Sequence, residues 1–474
     1  MRQITHSVAQ FAAEALLLSL CLQISEGQAQ KPVFLPSPGQ IVNVVCASDA
    51  NQSYALYLPS AYTVTKRWPI IYFFDPGGRG RRPLDLYKDL AETYGFIFAG
   101  SNNSRNFSGD ESQAVNAIWQ DTHVRLSLDD HRIYASGFSG GARVAGAMAF
   151  SSPGQIVGVI AHGAGYPNRH STTDKLLYYF AVGDKDFNWP EVITVGHERE
   201  KEGLPYRVNV YSGSHQWAPA SVMEDAVQRL QLKAMQAGDL PRDNTFIDRQ
   251  FQNLQNTADN PEGKGDALAQ LTTYQNLVSD FTGLREVTAA STKLATLKQS
   301  SAVKAALKNE QEQISEQLRI EREISPKLRT YESGDVPDPN ALRIEILQAM
   351  NGLRDQAAHA KREEERLVLQ RAFQDMMVEG VENGQQEFQA KHFDKAESCF
   401  DLMRQISDEP WPALLLAETR LAMGNKKQAL KDLREAVRRG LKDAEVLESD
   451  KQLQVLSNEP DFRKLVAELK AKSQ

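Results

Sequence analysis

The chain of 474 residues is 41% hydrophobic and carries a formal net charge of −7, which is the profile of a globular protein with room for roughly two to four domains. No dense basic stretch offers a footprint for phosphates, so nucleic acid is excluded as the main partner. No apolar run reaches the roughly 20 residues that a bilayer-spanning helix needs.

At the N-terminus, Arg2 and His6 precede the apolar run "ALLLSLCL" (15–22), and "GQAQ" (27–30) offers small residues on the near side of a cut after Ala29. This order predicts a secretory signal peptide over 1–29, hence a secreted or periplasmic protein. Glu14 and the bulky Leu20 before Cys21 depart from the usual pattern. Cys21 would leave with the leader. Cys46 and Cys399 fall in different regions, and a framework of disulfides is not expected.

From about residue 40 to 235 the chain alternates short apolar runs with amphipathic segments. "IVNVVCAS" and "SYALYLPSAY" predict an antiparallel pair across the polar "DANQ". Further strands are predicted at "WPIIYFFD", "GFIFAGS", "RIYASG", "QIVGVIAHG", "KLLYYFAVG" and "YRVNVYSG". Helix-like stretches between them predict an α/β fold with a doubly wound, mostly parallel sheet over residues 30–237.

Strand signals then vanish. Residues 238–378 predict an all-α region, with 341–377 apolar at helical spacing for many turns and "KREEER" as a solvated helix face. Over 379–474 a weak repeat aligns "KHFDKAESCFDLM" with "GNKKQALKDLREA", placing Ala396 against Ala429 and Phe400 against Leu433, 33 residues apart. That period predicts tetratricopeptide-like helix pairs, a surface suited to a protein partner.

The chemistry centres on "YASGFSGGARVA" (134–145), which sets Ser139 between Gly137 and Gly141. An apolar strand runs into it and an alanine-rich helix leaves it, the context of a nucleophile on a sharp turn. A helix starting at Gly140 would aim backbone N–H groups and a positive dipole end at a developing anion. An acyl-transfer serine also needs a base, and the base needs a carboxylate. "VGDKD" supplies Asp184 and Asp186 after a strand, and "SGSHQW" supplies His215 after the last strand, in the order serine, acid, histidine. His123, His162, His197, His359 and His392 lack that position.

Together "HRIYASGFSGG", "VGDKD" and "GSHQW" resemble the branch of the α/β-hydrolases that holds polyhydroxybutyrate depolymerases, feruloyl esterases and dienelactone hydrolases. The resemblance covers about residues 40–235. It implies that the acid is Asp186, three positions after the strand-end Gly183, and Trp217, two after His215, fits the same pattern. Family members often carry His-Gly after the early strand where this chain has Asp75-Pro76. Pro76 has no N–H, so Gly140 and Gly77 are the expected oxyanion donors. Arg79, Arg81 and Arg82 lie beside them. No metal-ligand spacing and no phosphate-cradling loop is present in the sequence, so neither metal nor cofactor is expected.

These features predict a serine hydrolase acting on small or polymeric carboxylic esters. A peptidase on the same fold, and a non-catalytic scaffold whose repeats do the binding, remain alternatives. All the candidate catalytic residues precede residue 216, which predicts that the helical half is separable from the chemistry.

Overall fold

The computed structural model describes residues 36–165, 176–259, 266–334, 336–442, 444–450 and 452–472. The predicted leader, 1–29, lies outside the described residues. Strands and helices alternate as β1 (Ile41–Val45), β2 (Ser53–Tyr57), β3 (Trp68–Phe74), α1 (Arg81–Tyr94), β4 (Ile97–Ser101), α2 (Glu111–Arg125), β5 (Leu128–Phe138) and α3 (Gly140–Ser151). They continue as β6 (Gly158–His162), β7 (Leu177–Gly183), α4 (Trp189–Glu202), β8 (Tyr206–Tyr211) and α5 (Ala220–Ala237). All eight predicted strands are present.

They form one sheet in the order β1-β2-β4-β3-β5-β6-β7-β8. β2 is antiparallel to both neighbours and the other pairings are parallel. The sheet is doubly wound and mostly parallel, as the sequence predicts. Every residue of β3, β4, β6 and β7 is buried, as a parallel sheet covered on both faces requires. The chain crosses to β4 on one side of β3 and returns to β5 on the other, with Phe74 in register with Gly137. Connections leaving these two strand ends diverge and open a crevice at their carboxyl ends. Asp75 and Ser139 both sit there.

Beyond the sheet run α6 (Asn244–Asp259), α7 (Ala267–Phe281), α8 (Thr288–Gln299), α9 (Ser301–Ser333), α10 (Pro339–His359) and α11 (Glu363–Gln389). Next come α12 (Phe393–Ile406), α13 (Trp411–Ala422), α14 (Lys426–Arg438), α15 (Ala444–Ser449), a short 3-10 turn (Leu453–Leu456) and α16 (Pro460–Lys472). Two expected boundaries change. The periodic run 341–377 breaks at Ala360, whose backbone is extended, with neither glycine nor proline to signal it. The expected boundary at 378/379 falls inside α11. The aligned repeat segments are α12 and α14, and Ala396, Phe400, Ala429 and Leu433 are each at most 1% exposed.

Residues 38–474 form one compact unit, and named contacts tie its two halves. Asp280 of α7, fully buried, lies 3.0 Å from Arg207 of β8 and 3.0 Å from Arg229 of α5. Leu232 and Met235 of α5 share a core with Phe246, Ile247, Leu277 and Phe281. The expected separability therefore meets a shared core and a shared buried ion cluster. Cys46 and Cys399 are free and buried.

Candidate active site

The turn that holds Ser139 is built by close approaches of backbone. Ser139 has φ 53° and ψ −123°, a conformation that non-glycine residues avoid and that costs on the order of 1–3 kcal/mol. A Cβ on Gly141 would stand 2.0 Å from the Phe74 carbonyl oxygen, so only glycine lets α3 start directly against β3. The Ser139 N–H donates to the His162 carbonyl at 2.8 Å, fixing the elbow to β6. Gly140 is the first residue of α3, and its N–H has no partner within the helix.

His215 reaches this elbow from the loop after β8. Its ring lies 4.5 Å from the Phe138 ring and 4.3 Å from the Phe187 ring. Nδ1 is 2.9 Å from Oδ1 and 2.9 Å from Oδ2 of Asp186, whose carboxylate is fully buried. The Asn188 N–H also donates to Asp186 Oδ1 at 2.9 Å. Asp186 is thus held to accept the Nδ1 proton and leave Nε2 free. Asp184 turns elsewhere and accepts the Gly213 N–H at 2.9 Å, bracing the loop that carries His215. Among the described residues no hydrogen bond joins Ser139 Oγ to His215, a looseness common before substrate closes such a site.

That division of labour predicts unequal mutations. Asp186→Asn should lower kcat/KM on one ester by roughly 10⁴-fold, because an amide holds the wrong imidazole tautomer. Asp184→Asn keeps an acceptor for Gly213 and should cost less than about tenfold. Parallel steady-state kinetics at one pH check the ranking.

The expected oxyanion donor Gly77 is engaged otherwise. Its N–H donates to Asp75 Oδ1 at 2.9 Å, and the Gly78 N–H donates to the Asp75 carbonyl at 2.9 Å. The buried Asp75 carboxylate also accepts Arg79 Nε at 2.8 Å and Trp217 Nε1 at 2.9 Å. A fully desolvated carboxylate takes every donor within reach, which explains both the lost glycine donor and the placing of Trp217. Arg79 is spent on that pairing, and Arg81 pairs with Asp85 on the surface. His162 lies buried beside the Tyr87 and Trp217 rings, and burial pushes its pKa down to about 3, so it stays neutral.

The sequence reading missed the helical half of the site. Gln317 of α9 donates to the Phe187 carbonyl at 2.9 Å. Arg371 of α11 donates to the Asp184 carbonyl at 3.2 Å and lies 4.1 Å over the Trp189 ring. Both bolt the loop that carries Asp186. Arg143 of α3 binds Glu191 of α4 through two hydrogen bonds, and Glu382 of α11 feels both Arg143 and His215. Nothing local in the sequence pairs residues so far apart.

Carboxylates crowd this contact. Burial, then repulsion from Glu321, Glu379, Glu382 and Glu191, raises the Asp375 carboxyl to about 8. Burial also raises Glu332 to about 7, and burial with Asp450 raises Glu418 to about 8. These folded-state values lie above the unfolded ones, so the folded protein holds protons that the unfolded chain has released. Stability should therefore fall as pH rises from about 6.5 to 8. Thermal unfolding across that window should show a falling Tm, and Asp375→Asn should flatten the slope.

No family model and no curated protein matches the chain. Solved structures do. An S-formylglutathione hydrolase from Staphylococcus aureus is 10% identical with TM-score 0.34, covering 42% of this chain and 99% of its own. A feruloyl esterase module from Clostridium thermocellum, complexed with sinapinate, is 16% identical with TM-score 0.33, covering 41% and 88%. Esterase 2 from Thermogutta terrifontis is 14% identical with TM-score 0.33, covering 44% and 99%.

Proposed function

We propose that this protein is a serine hydrolase of carboxylic esters. The observation that carries the reading is the grip of both Asp186 oxygens on His215 Nδ1, beside a serine held at positive φ. In this reading Ser139 Oγ attacks the acyl carbon as His215 Nε2 takes its proton. Asp186 stabilises the resulting imidazolium. The Gly140 N–H donates to the tetrahedral oxyanion at the N-terminus of α3. Collapse breaks the ester C–O bond, and the alcohol leaves with the proton from His215. Water, deprotonated by His215, then attacks the acyl-Ser139 ester and releases the acid.

The helix pairs α12–α13 and α14–α15 belong to this proposal as a tetratricopeptide-like surface for a protein partner, and export behind residues 1–29 as its secreted or periplasmic setting. Treatment of the full-length protein with a fluorophosphonate probe tests the catalytic reading. A single adduct on the peptide that contains Ser139 is expected, together with turnover of a panel of esters with varied acyl length. An unlabelled, folded protein would overturn it.

A further inference from the structure

The Asp75-Pro76 departure leaves the oxyanion hole one donor short. Pro76 has no N–H, and the N–H groups of Gly77 and Gly78 are spent on Asp75. A tetrahedral oxyanion would be left with the single Gly140 donor, and each preorganised donor is worth on the order of 10²–10³ in rate.

One side chain packs directly on the residue that supplies the first donor. Asn106 lies on the loop after β4, and its carboxamide packs on the α-carbon of Gly140. A Cβ on Gly140 would stand 2.1 Å from Asn106 Oδ1 and 2.6 Å from Nδ2. The amide therefore occupies the space that any side chain at position 140 would fill, directly beside the free N–H that starts α3. Both ends of the group lie close to Gly140, and a half-turn about χ2 exchanges them. Among the described residues the Asn106 side chain makes no hydrogen bond, so its NH₂ is uncommitted.

The surrounding loop is built to hold that position. The Asn106 N–H donates to the Pro76 carbonyl at 2.9 Å, and Arg105 bridges to Gly77. The loop is zipped to the segment whose own glycine donors are occupied. Phe107, the next residue, sits at φ 61°, a left-handed conformation that non-glycine residues disfavour. That turn carries the chain away from the crevice directly after Asn106.

We infer that Asn106 completes the oxyanion hole, its Nδ2–H donating with the Gly140 N–H to the oxygen that becomes negative when Ser139 attacks. The inference rests on the hydrolase reading and deepens it. In this chain a side-chain amide takes the place of the second backbone donor, because Asp75 has claimed the glycines that would otherwise supply it.

Asn106→Ala and the near-isosteric Asn106→Asp test this in the full-length protein, with Tm recorded for each. Both should lower kcat on a p-nitrophenyl ester by roughly 10²–10³-fold and leave KM within about threefold, because the bond forms only in the transition state. Affinity for a trifluoromethyl ketone, whose adduct carries the oxyanion, should fall in parallel. A purely structural role would lower Tm and leave the ketone-to-ester ratio unchanged. If Asn106→Ala fails to fold, Asn106→Asp carries the test. A folded variant that keeps kcat within tenfold of wild type overturns the inference. Wild-type protein that no fluorophosphonate labels would instead overturn the hydrolase reading, and this inference with it.

Discussion

Ser139→Ala should abolish fluorophosphonate labelling and reduce ester turnover by roughly 10⁴–10⁶-fold, leaving only what the oxyanion donors and binding supply. The fold should be unaffected. The hydroxyl makes no hydrogen bond among the described residues, and the position of residue 139 is fixed by its backbone, through the N–H to His162 and the glycine contact of Gly141 with β3. Alanine carries the same Cβ and inherits the same unfavourable φ, so the variant should unfold at a temperature close to that of wild type. Turnover within tenfold of wild type, in a variant of unchanged Tm, would place the nucleophile elsewhere.

A chain truncated after Ala237 should lose the activity, contrary to what the residue order suggests. The cut follows the last helix of the sheet region, where Gly238 caps α5 in a left-handed conformation, so it looks innocuous. It nevertheless removes Asp280 from Arg207 and from Arg229, whose side chain is 1% exposed. Stranding buried charge costs about 3–5 kcal/mol, a large share of ordinary domain stability. It also strips the cover from Leu232 and Met235. The truncated chain should therefore be insoluble, or at best much less stable. A gentler version keeps the whole protein: Gln317→Ala with Arg371→Met frees the Asp184–Trp189 loop without emptying a core. Loss of the Phe187 and Asp184 anchors should lower kcat by about tenfold or more through a less ordered Asp186–His215 pair. Activity within a few-fold of wild type in both the truncation and the double variant would show that the helices only sit beside the site.

The sequence by itself determined the elements that depend on local pattern. Continuous apolar runs marked β3, β4, β6 and β7, because a strand buried on both faces must be apolar throughout, and shorter runs between polar turns marked the others. Small residues after Ser139 marked the elbow, because a helix can start against β3 only where no Cβ intrudes. The order of Ser139, the Asp184/Asp186 pair and His215 named the candidate side chains, of which the structure joins Asp186 to His215. The resemblance implied Asp186 rather than Asp184, while loop position alone did not separate them. The two are equivalent as loop aspartates, and only the path of the loop turns one to His215 and the other to Gly213. The fate of Gly77 was also tertiary. Its N–H is lost to a carboxylate two residues away, and that carboxylate is held in place by Trp217 from the far end of the sheet region. The helical half follows the same rule. Gln317, Arg371 and Asp280 have neither motif nor spacing to mark them. They act on partners up to 187 residues away in sequence, and such pairings arise only where the packed helices bring buried polar groups face to face.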